Sequence, residues 1–281
     1  MNKNITSLQK ESNGTIRLTI TIPNSDIKKA WEEVMTSVAG NAEIQGFRRG
    51  KAPRKLVEEK ADKEKIREEV LKKLLPPAYA QAIKTHEIRP IINPKIHVDK
   101  LEDPNTNKDW QFTALTCEAP SIKLGKYKES IQKITVKSKI IVPGKEPVPA
   151  KFDDIVKALL DSITGEIPEI LVDNETDRLL SQTLEEVKKL GLTLDQYLSS
   201  TGKNPQVLRE EYGKKAQNDI KLEFALLKIA EEEKITVEEK EIEEAIKASK
   251  SEDEKRNLEA NRYLLASILR QQKTLDFLKN L

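Results

Sequence analysis

The chain has 281 residues, of which 34% are charged and 4% are aromatic, a composition that favours ion-rich helices over an aromatic-lined ligand pocket. This length suits one or two domains, each large enough to bury a core. The single Cys117 excludes an internal disulfide, and together with His86 and His97 it lacks the paired spacing of a zinc site. We therefore expect neither a metal ion nor another cofactor.

The charge is unevenly distributed along the chain. Residues 1–151 hold 29 Lys and Arg against 19 Asp and Glu, a net charge of +10, whereas residues 152–281 hold 20 against 28, a net charge of −8. A basic half predicts an anionic partner, from which an acidic half would be repelled. The N-terminus lacks the apolar region of a signal peptide, and there is no apolar run of about 18 residues that would span a bilayer. A cytoplasmic protein with no membrane partner is expected.

The first module, residues 1–115, is predicted to be α+β. Residues 15–22 alternate strictly between apolar and polar side chains, which is typical of a half-buried strand. Amphipathic helices follow, and Pro76 and Pro77 are expected to interrupt or kink one of them. Two strand-like runs, at residues 91–98 and 110–117, complete a β-α-α-α-β-β order.

Residues 116–151 are predicted to be an extended linker, because lysines and prolines are concentrated there and apolar residues alternate at Ile134, Val136 and Ile140. Residues 152–281 are predicted to be an all-α domain with long protruding helices. Thr193 with Gln196 indicates a capping box, as do Thr236 with Glu239 and Ser251 with Glu254. A helix from Pro205 to about Glu233 would be roughly 40 Å long.

The basic segment, residues 46–55, reads Gly-Phe-Arg-Arg-Gly-Lys-Ala-Pro-Arg-Lys. It departs from a phosphate-binding Walker loop, since only three residues separate its glycines and Ala52 follows the lysine. No catalytic motif is visible elsewhere in the chain. A solvated surface turn remains an alternative. However, an exposed Phe47 loses about 25 cal/mol for each Å² in contact with water, and the neighbouring cations repel one another. Both features favour a docking loop.

Residues 46–53 resemble the Gly-Phe-Arg-x-Gly-Lys-x-Pro signature of the trigger factor family, bacterial chaperones that dock beside the ribosomal exit tunnel. The strand before this segment and residues 167–180, 192–198 and 221–244 are also similar to that family, in the expected order. The resemblance implies that the first module is a ribosome-binding domain whose tip contacts ribosomal protein L23 and adjacent ribosomal RNA. The residues implied in this contact are Gly46, Phe47, Arg48, Arg49, Gly50, Lys51 and Pro53.

The sequence departs from the family pattern in one respect. No FKBP-type prolyl isomerase domain separates the linker from the helical domain, so no isomerase activity, and no enzymatic activity, is expected. The resemblance implies an ATP-independent chaperone that holds nascent or unfolded polypeptides on dispersed apolar surface. Apolar positions on the helices are candidates for this contact, although most such positions belong to a core: Leu222, Phe224, Leu226, Leu227, Ile229, Leu264, Leu265, Ile268 and Leu269.

Two other classes of protein are weighed against this reading. An RNA-binding or translation-associated factor without chaperone activity would also explain the basic half, and it would bind isolated ribosomal RNA as well as ribosomes. A periplasmic holdase of the SurA type would require a signal peptide. The sequence leaves open the client range, a homodimer off the ribosome, the orientation of the two domains, and whether the missing isomerase domain is a natural or an engineered feature.

Overall fold

The computed structural model describes residues 5–139, 151–249 and 251–281. The chain divides into two compact units, Met1–Ala119 and Pro120–Leu281. The first unit combines a sheet with helices, and the second is largely helical. The predicted fold class, an α+β domain followed by a helical domain, is therefore confirmed.

The first unit is built on a four-stranded antiparallel sheet with the strand order β1-β2-β4-β3. The strands are β1 (Ile5–Lys10), β2 (Ile16–Ile22), β3 (Lys95–Lys100) and β4 (Trp110–Thr116). The apolar side chains of β2 all face the core, because successive side chains point to opposite faces of a strand. The strand predicted from the alternation at residues 15–22 is therefore confirmed. β1 is not predicted from the sequence, since it is mostly polar and most of its side chains are exposed at the sheet edge.

Three helices connect β2 to β3, namely α1 (Asn24–Asn41), α2 (Arg54–Lys60) and α3 (Lys63–His86). The buried side chains of α1 and α3 pack against the sheet around Trp110 and Phe112, whose rings meet edge to face with their centroids 6.4 Å apart. α3 continues through both of its prolines, so the first of the two expected effects, an interruption of the helix, is wrong, and the second, a kink, stays a prediction. Burial of Val70 before the prolines and Ala82 after them stabilises the helix on both sides.

The second unit begins with two helices that pack against each other, α4 (Tyr127–Lys139) and α5 (Phe152–Ser162). Ile131 of α4 and Leu159 of α5 are fully buried in one core, and later helices contribute Ile229 and Leu278 to it. The N-terminal part of the predicted linker is therefore a structural part of the helical unit.

The prediction of an extended linker at residues 116–151 is wrong for residues 127–139, which form α4. Tyr127, Ile131 and Thr135 are buried at four-residue spacing, which places them on one face of a helix, whereas Val136 is exposed. The sequence of this segment therefore contains a helical spacing of buried residues, which is difficult to recognise because lysines lie between them. Ile140, which the extended reading also used, lies outside the described residues.

The middle of the second unit consists of α6 (Glu169–Lys189), α7 (Leu194–Thr201) and α8 (Pro205–Glu232). The predicted capping box is confirmed: the Thr193 hydroxyl accepts a hydrogen bond from the Gln196 amide, and the Gln196 side chain accepts one from the Thr193 amide. The long α8 is confirmed as well, with the Asn204 side chain accepting a hydrogen bond from the Val207 amide at 2.9 Å. α6 and the C-terminal helix pack along α8.

The C-terminal helices are α9 (Glu239–Lys247), α10 (Glu252–Ala260) and α11 (Arg262–Asn280). Ser251 caps α10, accepting a hydrogen bond from the Glu254 amide at 3.1 Å, which is one of the two hydrogen bonds of the predicted box. The predicted box at Thr236 is wrong, because α9 begins later and its box is formed by Glu238 and Glu241. A small cluster of Ile242, Ile246 and Leu265 joins α9 to α11.

The compact units also change the distribution of charge. Residues 1–119 hold 21 Lys and Arg against 17 Asp and Glu, a net charge of +4, and residues 120–281 hold 28 against 30, a net charge of −2. The strong division into a basic and an acidic half is therefore wrong for the folded units, because the lysine-rich residues after 119 belong to the second unit. Any attraction of the first unit to an anionic partner depends on its local clusters of charge.

Candidate functional site

The basic segment connects the end of α1 to the start of α2. Its backbone forms two tight turns, in which the Phe47 amide donates to the Ile44 carbonyl at 2.9 Å and the Lys51 amide donates to the Arg48 carbonyl at 2.9 Å. Pro53 precedes the first residue of α2, and its carbonyl accepts from the Leu56 amide at 3.0 Å. The segment is therefore an ordered turn between two helices.

Gly50 closes the base of this turn. Its amide donates to the Ala42 carbonyl at 3.0 Å, and its φ of +70° lies in the left-handed region that favours glycine. A β-carbon at this position would lie 2.4 Å from the Gly40 carbonyl oxygen at the end of α1. Gly46 also has a positive φ, +91°, but a β-carbon there would meet no atom within 4 Å. The turn thus requires glycine at one position for conformation and at the other for conformation and space.

The tip of the basic segment lies on the surface. Phe47 is 43% exposed, and Arg48, Arg49, Lys51 and Pro53 are exposed as well. An aromatic ring left this far in water next to several cations is a surface that a partner with both apolar and anionic groups would stabilise. The sequence-predicted docking residues are therefore together on one exposed turn.

The cations of the segment are not equivalent. Arg54 forms ion pairs with Glu58, at 2.7 Å, and with Glu32 of α1. Arg49 lies 3.9 Å from the carboxylate of Glu43, a long contact between exposed groups. The mutual repulsion expected among these cations is therefore relieved at Arg54 by carboxylates outside the segment.

Three cations of the segment retain their charge for another partner. Arg48, Lys51 and Lys55 form no ion pair with any residue in the ranges that the structure describes. The pairing of Arg54 with Glu58 could have been predicted from their four-residue spacing in a helix. The pairing with Glu32 could not, because 22 positions separate the two residues along the chain.

The nine apolar positions predicted to contact clients separate into three groups. Leu226, Ile229 and Leu265 are buried and belong to cores of the second unit. Partial burial is found at Leu222, Phe224, Leu227 and Leu269. Leu264 and Ile268 are 58% and 53% exposed.

The two exposed positions lie beside a third residue that the sequence reasoning missed. Tyr263 is 91% exposed and immediately precedes Leu264 at the start of α11. We refer to Tyr263, Leu264 and Ile268 as the α11 patch. Tyr263 lies outside the apolar stripe of the helix, so periodicity alone does not select it.

A cavity of about 230 Å³ lies between α1 and α3 in the first unit. It is lined by apolar side chains and by four charged ones, Asp26, Lys29, Glu33 and Lys73. The ammonium group of Lys73 pairs with Glu33 and lowers the pKa of that carboxyl. The charges of these four side chains balance, so the cavity has no net attraction for a charged ligand.

The single thiol is buried away from these surfaces. Burial raises the pKa of Cys117 to about 11, so the unreactive protonated form dominates at neutral pH. Across residues 5–139, 151–249 and 251–281, no group of three or more His, Cys, Asp and Glu side chains is arranged to hold a metal ion. Over the same ranges, no helix is both long enough and apolar enough to cross a bilayer.

The α+β unit exposes an aromatic, cationic turn, and the helical unit exposes apolar side chains. These features define a class of binding protein in which a cationic surface and an apolar surface lie on separate units. Residues 1–155 match the family described as bacterial trigger factor protein, and residues 149–280 match the family described as its C-terminus. The chain belongs to the trigger factor family. The two matched ranges overlap at residues 149–155, so no FKBP-type domain lies between them.

Curated relatives match less than half of the chain. Trigger factor from Staphylococcus epidermidis strain RP62A is 35% identical over 120 residues, which is 43% of this chain and 27% of that protein. Over 120 residues, trigger factors from Natranaerobius thermophilus and Staphylococcus aureus strain JH9 are 33% and 34% identical, covering 43% of this chain and 26% and 27% of those proteins. The matched region is thus about a quarter of the length of these relatives.

Among solved structures, the chain is similar to a trigger factor chaperone studied for promiscuous substrate recognition in folding and assembly activities. The TM-score is 0.65 at 13% sequence identity, and the match covers 98% of this chain and 99% of that one. At this identity the likeness shows a shared fold and carries no residue-level role.

Proposed function

We propose that this protein is an ATP-independent molecular chaperone that docks at the ribosomal exit tunnel and holds nascent or unfolded polypeptides. The observation that carries the proposal is the exposed basic segment. Phe47 lies there on a turn that Gly50 holds closed, next to Arg48 and Lys51, which form no ion pair within the described residues. Membership of the trigger factor family supports the same reading. Docking on ribosomes implies that the protein acts in the cytoplasm.

The proposed docking contact has an ionic part and an apolar part. Arg48 and Lys51 are available to phosphates of ribosomal RNA and to carboxylates of ribosomal protein L23, since neither pairs within the described residues. Phe47 contributes apolar burial, which salt affects little. Docking is therefore expected to weaken as salt rises, because counterions compete for the phosphates.

The proposed client contact lies on the second unit. The α11 patch contains Leu264 and Ile268, the two most exposed of the nine predicted client positions, and the half-buried Leu222, Phe224, Leu227 and Leu269 extend the available surface. Contacts of this kind are non-directional and accept many sequences. The chain carries no Walker loop, so we propose that clients leave when their own folding competes with weak binding.

We also propose that the protein has no prolyl isomerase activity. The two family matches overlap at residues 149–155, so they leave no place for a separate isomerase domain between them. Refolding of a substrate limited by proline isomerisation should proceed at its uncatalysed rate in the presence of this protein, and a rate increase that saturates with substrate would contradict the proposal.

The docking test is co-sedimentation with ribosomes after replacing Phe47, Arg48 and Arg49 together by alanine. We expect association to be lost. The matched control replaces one phenylalanine and two arginines of the second unit by alanine, namely Phe152, Arg178 and Arg209. Phe152 is 43% exposed, as Phe47 is. The control should sediment like the wild type. Unchanged association of the first variant, or an equal loss in the control, would overturn the docking proposal.

The holding test measures how well the protein suppresses aggregation of a chemically unfolded client. Replacing Leu264 and Ile268 by serine should weaken suppression, whereas the same change at the exposed Leu190 and Leu192 should not. If the protein suppresses no aggregation and binds isolated ribosomal RNA as tightly as ribosomes, it is an RNA-binding or translation-associated factor without chaperone activity.

A further inference from the structure

The proposed docking residues, 46–53, form a turn between α1 and α2, which we refer to as the docking turn. The ion pairs of Arg54 connect these two helices. Glu58 lies on α2, one turn after Arg54, and holds the Nε of the guanidinium at 2.7 Å. Glu32 lies on α1 and pairs with the other side of the same guanidinium, at Nη2. These two carboxylates raise the pKa of Arg54, with Glu58 as the larger cause. A single planar group thus joins the helix before the turn to the helix after it.

α2 has few other means of holding its position. It is seven residues long, and Val57 is its one buried side chain. A short helix with one buried residue gains little from hydrophobic packing, so a bridging ion pair contributes a larger share of its anchoring than it would in a long helix. Because the basic segment leads directly into α2, the position of α2 sets the position of the turn.

We propose that Arg54 is a positioning residue, which fixes the docking turn by bridging Glu32 and Glu58, and that Arg48, Lys51 and Lys55 are the cations that meet the anionic partner. This inference rests on the proposed ribosome docking. It divides the five cations of the segment into one internal bridge, one weakly engaged residue, Arg49, and three that face outward unpaired among the described residues.

The sign of one substitution distinguishes bridging from direct contact. Glu32→Gln removes a negative charge near the docking turn and frees Arg54 from α1. If Arg54 touched the ribosome, this change would strengthen docking, because the guanidinium would gain charge for the partner. As a positioning residue, Arg54 loses its hold on α1, and docking weakens by about two- to fivefold, the range that single exposed ion pairs support.

The matched control is Glu43→Gln. It removes the same charge beside the same turn, but within the described residues the ion pair of Glu43 is with Arg49, at 3.9 Å, which lies in the turn and not on a second helix. Ribosome affinity measured for the two variants should differ: Glu43→Gln should bind at least as tightly as the wild type, and Glu32→Gln should bind more weakly than both. Equal affinity of the two glutamine variants, or tighter binding by Glu32→Gln, would overturn the inference.

A second variant keeps the charge and removes the geometry. Arg54→Lys retains a cation but replaces a planar fork by a point charge, which pairs with one carboxylate at a time. We expect docking to weaken by about two- to fivefold, with unfolding temperature close to that of the wild type, since the pairs are exposed. Wild-type affinity in Arg54→Lys would show that charge alone suffices and would contradict the bridge.

Failure of this inference is separable from failure of docking itself. Arg48→Ala combined with Lys51→Ala removes two of the outward cations and leaves the bridge intact. If that variant binds ribosomes as tightly as the wild type, the proposed docking surface is wrong. If it binds weakly while Glu32→Gln and Arg54→Lys bind normally, docking stands and the positioning role of Arg54 is wrong.

Discussion

Gly50→Ala should disturb the docking turn more than Gly46→Ala, and the two glycines provide a direct comparison. Both residues have positive φ, so alanine at either position costs about 1–2 kcal/mol of backbone strain. They differ in the space available. A β-carbon at Gly46 meets no atom within 4 Å, whereas one at Gly50 lies 2.4 Å from the Gly40 carbonyl oxygen.

The added cost at Gly50 comes from this contact. A carbon and an oxygen cannot remain at that distance, so the turn must move away from the end of α1 or α1 must shorten. Overpacking of this kind costs about 1–3 kcal/mol. Gly50→Ala should therefore cost about 2–5 kcal/mol in all, against about 1–2 kcal/mol for Gly46→Ala.

Two measurements check the comparison. Urea unfolding reports whether the strain is retained in the folded state, and ribosome co-sedimentation reports whether the turn has moved to relieve it. Gly50→Ala should be worse than Gly46→Ala in at least one of these measurements. If the two variants are equally stable and bind ribosomes equally well, the close approach of Gly50 to Gly40 does not shape the turn.

Three further predictions concern the rest of the molecule. Ile229→Ala should lower the free energy of unfolding by about 2–5 kcal/mol because Ile229 is fully buried, whereas Leu264→Ala should change it by under about 0.5 kcal/mol; equal effects in urea unfolding would contradict their assignment to core and surface. A hydrogen bond from Lys128 lowers the pKa of Glu233 below its ordinary 4.5, so this carboxylate stabilises the fold above that pH and loses its contribution as the pH falls through the lower folded value. Glu233→Gln should therefore be less stable than the wild type at neutral pH, with a difference that shrinks in acid; a difference independent of pH would refute this. The thiol of Cys117, with a pKa of about 11, should resist labelling at neutral pH until denaturant is added, and rapid labelling of the native protein would show that the site opens.

Several features of this protein follow from short stretches of sequence. The strict alternation of β2, the capping box at Thr193 and the start of α8 at Asn204 were all predictable, because each depends on the side-chain direction or hydrogen bonding of adjacent residues. The docking turn is also local. Its glycines, aromatic residue and cations are contiguous, so the signature contains the turn and its chemistry together.

Other features depend on residues distant in the chain. The sequence predicts an extended linker where the structure has α4, because the burial of this helix against α5 and α8 depends on the partner helices. The same holds for the choice between core and surface along an amphipathic helix: Leu264 and Leu265 are adjacent in sequence, yet only Leu265 is buried, in the cluster shared with α9.

The charge of the basic segment that is available to a partner also depends on residues distant in the chain. Sequence composition counts Arg54 with the other cations, but a carboxylate from α1 engages it in the folded unit. Local periodicity and turn chemistry are properties of neighbouring residues, so the sequence alone identifies the turn for which we propose a docking role. Burial and ion pairing between distant segments arise only from packing, so the tertiary structure decides which of the cations and apolar side chains are left to meet a partner.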